Sequence, residues 1–292
     1  MSDYPSDYPS DYPILVVKAA DWYDSVSFAR QHPWYIFRGQ ADAQWGLSSR
    51  IERVCWQNQF PTNFLRNREN TILREFQRRT HHYVESLPPL DNKLEWLALI
   101  QHYGGSTRLL DFTKSFYVAA FFAMETAKND AAVWALNEEW LYQHTENTIR
   151  EGKTYDIHSR GRKIVEENLS GNCEQKIVMA AEPERLNPRI SIQQGLFAIP
   201  GSLSHSFTEN LQATLGVEFS ELAEINETEP VPIGKLLGTA DVNCGLVKII
   251  LPLEMHNAAL QDLESMNVNA RTLFPGLEGF ARSLNIYLRD VE

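Results

Sequence analysis

The sequence predicts an α+β fold: a single domain with a mixed or antiparallel sheet and flanking helices, behind a disordered N-terminal tail. Three observations predict it. The chain has 292 residues, 43% of them hydrophobic and 22% charged, enough to bury a core without disulfide or metal staples. Helical periodicities come as a block between Phe64 and Lys128. Short β-branched and aromatic runs come in clusters, with no regular alternation of strand and helix along the chain.

The elements follow in chain order. Ser2 to Pro13 is three copies of Ser-Asp-Tyr-Pro. Repeated proline blocks helix and strand pairing, so residues 1–13 read as a disordered tail, with a tyrosine-spaced docking peptide as the rival. Ile14 to Val17 opens the ordered domain, residues 14–292. Trp34 to Phe37 reads as a strand. From Phe64 to Leu87 the residues Leu65, Ile72, Leu73, Phe76, Tyr83, Val84 and Leu87 recur at helical spacing, with Arg66, Arg68, Arg74, Arg78 and Arg79 mostly elsewhere. Pro88 and Pro89 are expected to end that helix. Lys93 to His102 is a second helix, stopped by Gly104 and Gly105, and Ser115 to Lys128 a third. Ala131 to Leu136, Lys176 to Ala181, Arg189 to Ile192, Leu196 to Ile199 and Gly245 to Leu251 read as strands. Glu254 to Met266 and Pro275 to Leu284 read as helices. Residues 138–172 are polar and irregular and form a candidate insertion.

Composition excludes several classes. A net charge of −11 and a pI near 5.3 argue against coating nucleic acid through global charge. Cys55, Cys173 and Cys244 are odd in number and form no Cys-x-x-Cys pair, which suggests reduced thiols in a cytoplasmic protein and no cysteine zinc site. The N-terminal residues show no positive stretch followed by an apolar one, so no secretion signal is expected, and the apolar run ending at Met124 is too short to span a bilayer, so no membrane partner is expected. The phosphate cradles of Rossmann and P-loop proteins, the His-Glu-x-x-His metal helix and the Gly-x-Ser-x-Gly elbow are all missing. No metal is implied.

Three segments stand out. In Phe37-Arg38-Gly39-Gln40, an arginine leaving a buried strand needs an anionic or carbonyl partner. Its planar fork suits phosphate; an internal ion pair with Asp111 is the competing reading. Gly39 permits a turn or the close approach of a ligand. In the second segment, Gln101 to Thr113, the polar residues His102, Tyr103, Thr107, Arg108, Asp111 and Thr113 are dense between apolar helices and are candidates to orient a ligand. Thr113 or Ser115 is also a candidate N-cap for the helix that follows. In the third, Arg189 to Phe197, strand alternation would send Gln193 and Gln194 to opposite faces. The pairs Glu182/Glu184 and Glu227/Glu229 read as surface carboxylates.

Together these segments resemble the FRG domain family. The matching motifs are Phe37 to Gln40 with Trp45; Gln101-His102-Tyr103-Gly104 continuing to Thr107-Arg108-Leu109-Leu110-Asp111 and Thr113; Arg189 with Gln193, Gly195 and Phe197; and Thr272-Leu273-Phe274-Pro275. They cover roughly Trp34 to Leu284. Gly105-Ser106 and Phe112 depart from the family pattern without removing a charge. The resemblance implies a bacterial, phage-associated protein. A weaker, fold-level similarity is to ADP-ribosyltransferases, whose order is a strand arginine, a hydroxyl before a helix, and a late carboxylate. It implies that Arg38 holds NAD phosphates or ribose, Thr113 supports the nicotinamide ribose, and Gln193 or Gln194 takes the last place. Glutamine there departs from the pattern, and Asp111 or Glu184 is the alternative base. The catalytic candidates are thus Arg38, Thr113, Gln193 and Gln194. The candidates for binding NAD as substrate are Arg38, Gly39, Gln40, His102, Tyr103, Thr107, Arg108 and Asp111. The expected function is NAD-dependent ADP-ribosyl transfer or NAD glycohydrolysis by a toxin or phage-defence effector, with a macromolecular acceptor. The alternatives are a non-catalytic nucleotide- or partner-binding regulatory module and, less favoured, a nucleic-acid binder or nuclease using the arginine-rich helix.

Overall fold

The computed structural model describes residues 14–149, 160–170, 175–185, 187–217, 230–233 and 244–288. The Ser-Asp-Tyr-Pro tail, Cys173 and the Glu227/Glu229 pair lie outside them. The strands are β1 (Ile14–Lys18), β2 (Tyr35–Gln40), β3 (Leu110–Thr113), β4 (Ala131–Asn137), β5 (Val178–Ala181), β6 (Gly195–Pro200), β7 (Val231–Pro232) and β8 (Leu246–Leu251). They form one eight-stranded mixed sheet in the order β5-β6-β3-β2-β4-β8-β1-β7. β1 runs parallel to β7 and β8, and the other pairs are antiparallel. The fold is α+β, as the clustered strand patterns predict.

The helices are α1 (Trp22–Gln31), α2 (Arg50–Gln57), α3 (Leu65–Arg79), α4 (Lys93–His102), α5 (Phe116–Met124), α6 (Glu138–Ile149), α7 (Arg160–Ser170), α8 (Pro188–Ile192), α9 (Phe207–Leu215), α10 (His256–Ser265), α11 (Ala270–Leu273) and α12 (Leu277–Ser283). Strand alternation divides them between two faces. Phe37, Val133 and Ala135 pack with α5, α1 and α10 in one core. Ile36, Trp134 and Leu136 pack with Phe207 and Leu211 of α9 in another. Each residue of β4 is buried, which explains why its sequence is apolar from Ala131 to Leu136. No helix among the described residues is long and apolar enough to cross a membrane.

Four expectations are corrected. The helix expected from Phe64 to Leu87 ends at Arg79, followed by one 3-10 turn over Thr80–His82. Thr80 is buried with its hydroxyl donating to the Phe76 carbonyl at 2.5 Å, while Tyr83, counted in the apolar stripe, is 85% exposed. The third helix is shorter than expected, capped by Ser115, whose hydroxyl accepts from Val118 N. Arg189 to Ile192 is helix α8, not strand. Asn187 accepts from Ile190 N at 2.9 Å and Pro188 stands at the first helical position, an N-terminal signal that outweighs the β-branched run. The described parts of residues 138–172 are helices α6 and α7, and they bury Leu141, Val165 and Leu169 in the cores.

One feature of the register positions the site. β2 pairs with β4 from Tyr35 to Gln40 but meets β3 only at Phe37↔Thr113. Beyond that pair β2 and β3 part, and the sheet opens beside Arg38, Gly39 and Gln40.

Candidate functional site

A cavity of about 970 Å³ lies at this opening, within the size range of small-molecule sites. Its wall includes Arg38, Gly39 and Gln40 of β2, Asp111 and Thr113 of β3, and Gln101 and His102 at the end of α4. Arg189 and Gln193 from α8 and its C-cap complete this side, and Arg53, Trp56 and Gln57 of α2 stand on the other.

Arg38 crosses the split: its Nη1 donates to the Asp111 carbonyl oxygen at 2.8 Å. That is a backbone bond rather than the ion pair considered above. Arg38 Nε is buried with no hydrogen-bond partner among the described residues. Burial pulls its pKa below the ordinary guanidinium value, Asp111 opposes that and Arg53 adds to it. The Asp111 carboxylate accepts from Gln101 Nε2 at 2.7 Å, and Gln101 Oε1 in turn accepts from the Thr107 hydroxyl. Burial and the charge of Arg189 hold the His102 pKa below the usual imidazole value. Arg189 lies over the Phe274 ring, 4.5 Å from its centroid.

The late glutamine is held by the C-terminal motif. Gln193 Nε2 donates to the Leu273 carbonyl at 2.9 Å, and the Gln193 carbonyl accepts from the Thr113 hydroxyl at 2.7 Å. The Thr113 oxygen also accepts from Ser115 N at 3.0 Å. Thr113 is therefore a clip joining β3, α5 and the α8 turn. Segments 80 residues apart in the chain meet here.

Of the sequence candidates, Arg38, Gly39, Gln40, His102, Asp111, Thr113 and Gln193 line this one cavity. Four do not. Gln194 is not across a strand from Gln193; it sits in the turn before β6 at φ 49°, with its carbonyl accepting from Lys114 N. Tyr103 is 62% exposed and stands edge-on to His102 outside the lining. Thr107 is buried beneath Gln101. Arg108 is only 1% exposed and is consumed by Glu69 and by the Pro200 and Gly201 carbonyls. Glu184, the second alternative base, is also off the cavity. Two lining residues have structural duties. A Cβ on Gly39 would stand 1.9 Å from the Ala119 carbonyl oxygen, so this glycine lets α5 pack against β2 rather than admitting a ligand. Gln40 accepts from Trp134 Nε1 at 2.7 Å and donates to the Gly46 carbonyl at 3.0 Å, fixing the loop that carries Gln44 and Trp45.

Sequence reasoning did not place Arg53, Trp56 and Arg189 at the site. Ile51, Glu52 and Cys55 bury one side of α2, which leaves Arg53, Trp56 and Gln57 at i, i+3 and i+4 on another face. That spacing was the available signal. The arginines of α3, by contrast, are absent from the cavity wall; Arg78 and Arg79 pair with Glu75 and Arg68 stacks over Phe60.

In comparisons with known proteins, residues 33–132 match the family model described as the FRG domain. No curated protein and no solved structure matches the chain. The matched stretch carries most of the cavity wall, with Arg38, Arg53, Asp111 and Thr113 in it; Asn187, Arg189, Ile190, Gln193 and Phe197 come from beyond it.

Proposed function

Because residues 33–132 match the FRG domain model, and Arg38, Asp111, Thr113 and Gln193 of its motifs line one cavity, we propose that the protein binds NAD and cleaves the nicotinamide N-glycosidic bond. The outcome would be ADP-ribosyl transfer to a macromolecule or hydrolysis, in an effector of toxin or phage-defence type. The observation that carries the reading is the shared cavity of Arg38, Thr113 and Gln193, the order of groups expected from the resemblance. Arg38 would hold a phosphate through the N–H groups its one backbone bond leaves over. When the glycosidic bond breaks, its electron pair leaves with nicotinamide and positive charge builds on the ribose. Asp111, the one carboxylate among the lining residues, is the group placed to oppose that charge. Water or an acceptor nucleophile then adds to the ribose and loses a proton. Gln193 contributes position rather than charge.

The test is incubation with NAD and quantitation of nicotinamide and ADP-ribose, beside Arg38→Ala and Asp111→Asn. Release lowered by about 10²–10³-fold in Arg38→Ala is the expected result for loss of one preorganised charge partner. A wild-type protein that releases no nicotinamide, even with lysate as acceptor source, overturns turnover. A second reading, nucleotide binding without cleavage in a regulatory module, is favoured by one observation. The Thr113 hydroxyl and the Gln193 amide nitrogen are already committed to backbone partners.

A further inference from the structure

The α2 wall of the cavity carries chemistry that the Arg38–Thr113–Gln193 grouping does not use. Arg53 lines the cavity with its guanidinium held by the Ser48 carbonyl and hydroxyl oxygens. Its charge acts on Arg38, Asp111 opposes the effect at both guanidiniums, and Glu52 acts on Arg53 more strongly than Asp111 does. Arg38, Arg53 and Arg189 line the cavity with one carboxylate, Asp111, so the wall keeps a net positive pole even with the buried Glu52 acting on Arg53, in a chain whose overall charge is −11. Such a pole in an acidic protein calls for an anion with more than one negative oxygen. One turn beyond Arg53 on the same helix, Trp56 is 51% exposed, and Trp45 on the adjoining loop is 55% exposed; both line the cavity. Large indole faces left in water where a cavity meets solvent suit the flat face of a base. The loop under Trp45 is pinned by Gln40, so that indole is presented from a fixed backbone.

We propose that Arg53 joins Arg38 in gripping a diphosphate, and that Trp56 and Trp45 stack on the attached base, so the site takes a nucleoside diphosphate moiety with its base toward α2. The proposal rests on the nucleotide reading above and names the subsite within it.

Binding of ADP, ADP-ribose and adenosine is measured by calorimetry for wild type, Arg53→Ala, Arg53→Lys, Trp56→Ala and Trp56→Phe. Thermal midpoints serve as the folding check; both side chains reach solvent. Arg53→Ala is expected to weaken ADP and ADP-ribose at least tenfold and to leave adenosine unchanged, with Arg53→Lys in between. Trp56→Ala is expected to weaken all three ligands together, with Trp56→Phe recovering most of the loss. A wild type that binds neither ADP nor ADP-ribose overturns the proposal, as do folded Arg53→Ala and Trp56→Ala proteins that bind like wild type. The two readings fail separately. ADP bound through Arg53 and Trp56 with no nicotinamide released sinks NAD cleavage alone. Nicotinamide release with KM for NAD unchanged in both variants sinks the subsite alone.

Discussion

Arg38 sits on β2 and Arg108 just before the adjacent β3, yet the molecule treats them oppositely. Arg108 ends in a closed set. Its Nε reaches both Glu69 oxygens at 2.8 and 3.0 Å, its Nη2 reaches one at 2.5 Å, and its Nη1 points at two backbone carbonyls. Lys93 adds a second cation 3.4 Å from Glu69. Arg38 has one carbonyl and a buried Nε without a partner. Burial alone does not separate a structural arginine from one that faces a ligand; the completeness of its partner set does. The first ties α3 to the strand edge of β3 and β6. The second leaves hydrogen-bonding capacity in a cavity.

The largest effect that would break this comparison is at Glu69. Removing it strands two cations in the interior, so Glu69→Ala should cost about 3–5 kcal/mol in denaturant unfolding. A loss under about 1 kcal/mol would mean that the Arg108 set is not closed. The same carboxyl gives a pH signature. Burial pushes its pKa up, but the charges and hydrogen bonds of Arg108 and Lys93 outweigh it and hold it below the usual range. Its folded pKa is thus depressed. The stabilisation is present above the unfolded carboxylate value of about 4.3 and is lost as pH falls through the lower folded value. Glu69→Gln should remove that acid dependence.

Another interior cation, Lys248, falls between the two arginines in how completely it is partnered. It donates to the Ala43 carbonyl and sits 5.1 Å from the Trp134 ring centroid. Burial pushes its pKa down to about 8, against a small opposing pull from Asp42. Above that value the folded state has released a proton that the unfolded chain keeps until about 10.4. Stability should therefore rise with pH between about 8 and about 10.4, and Lys248→Met should flatten the rise. Urea midpoints across that range decide it; a flat wild-type profile would show that Lys248 keeps its proton in the fold.

Gly39→Ala comes next. The new Cβ meets the Ala119 carbonyl of α5, a backbone atom that cannot swing aside. Overpacking of this kind costs about 1–3 kcal/mol. Because Gly39 stands between Arg38 and Gln40, ligand binding should weaken along with the thermal midpoint. Loss of binding with an unchanged midpoint would return Gly39 to the role of admitting a ligand.

What was legible in the sequence follows the same divide. Arg38, Asp111, Thr113 and Gln193 were readable because each sits in a short motif with dense polarity. The strands of the sheet were readable because β4 and β8 are almost wholly buried and therefore mostly apolar, Asn137 and Lys248 excepted. Arg108 was misassigned because its partner Glu69 lies 39 residues away on a helix, and no local pattern reports a pairing across that distance. Gln194 was misassigned with its neighbour because alternation was applied to a segment that Asn187 and Pro188 turn into helix. Arg53 and Trp56 were missed because an amphipathic face is ordinarily read for its apolar side, and here the cavity takes another.

The smallest expected effect on stability belongs to Arg38. Its desolvation is only partly offset by one carbonyl bond and by the charge of Asp111, while its buried Nε has no partner among the described residues. Replacing it with methionine keeps much of the packing volume and removes a charge that the fold does not fully satisfy. Arg38→Met should therefore lie within about 1 kcal/mol of wild type in urea unfolding, on either side of zero. The corresponding change at Arg108 leaves Glu69 facing Lys93 alone and should cost about 3–5 kcal/mol. Ligand binding should run the other way: lost in Arg38→Met, and kept in whatever fraction of the Arg108 variant still folds. If the two variants lose stability equally, Arg38 is as structural as Arg108, and the cavity must be read without it.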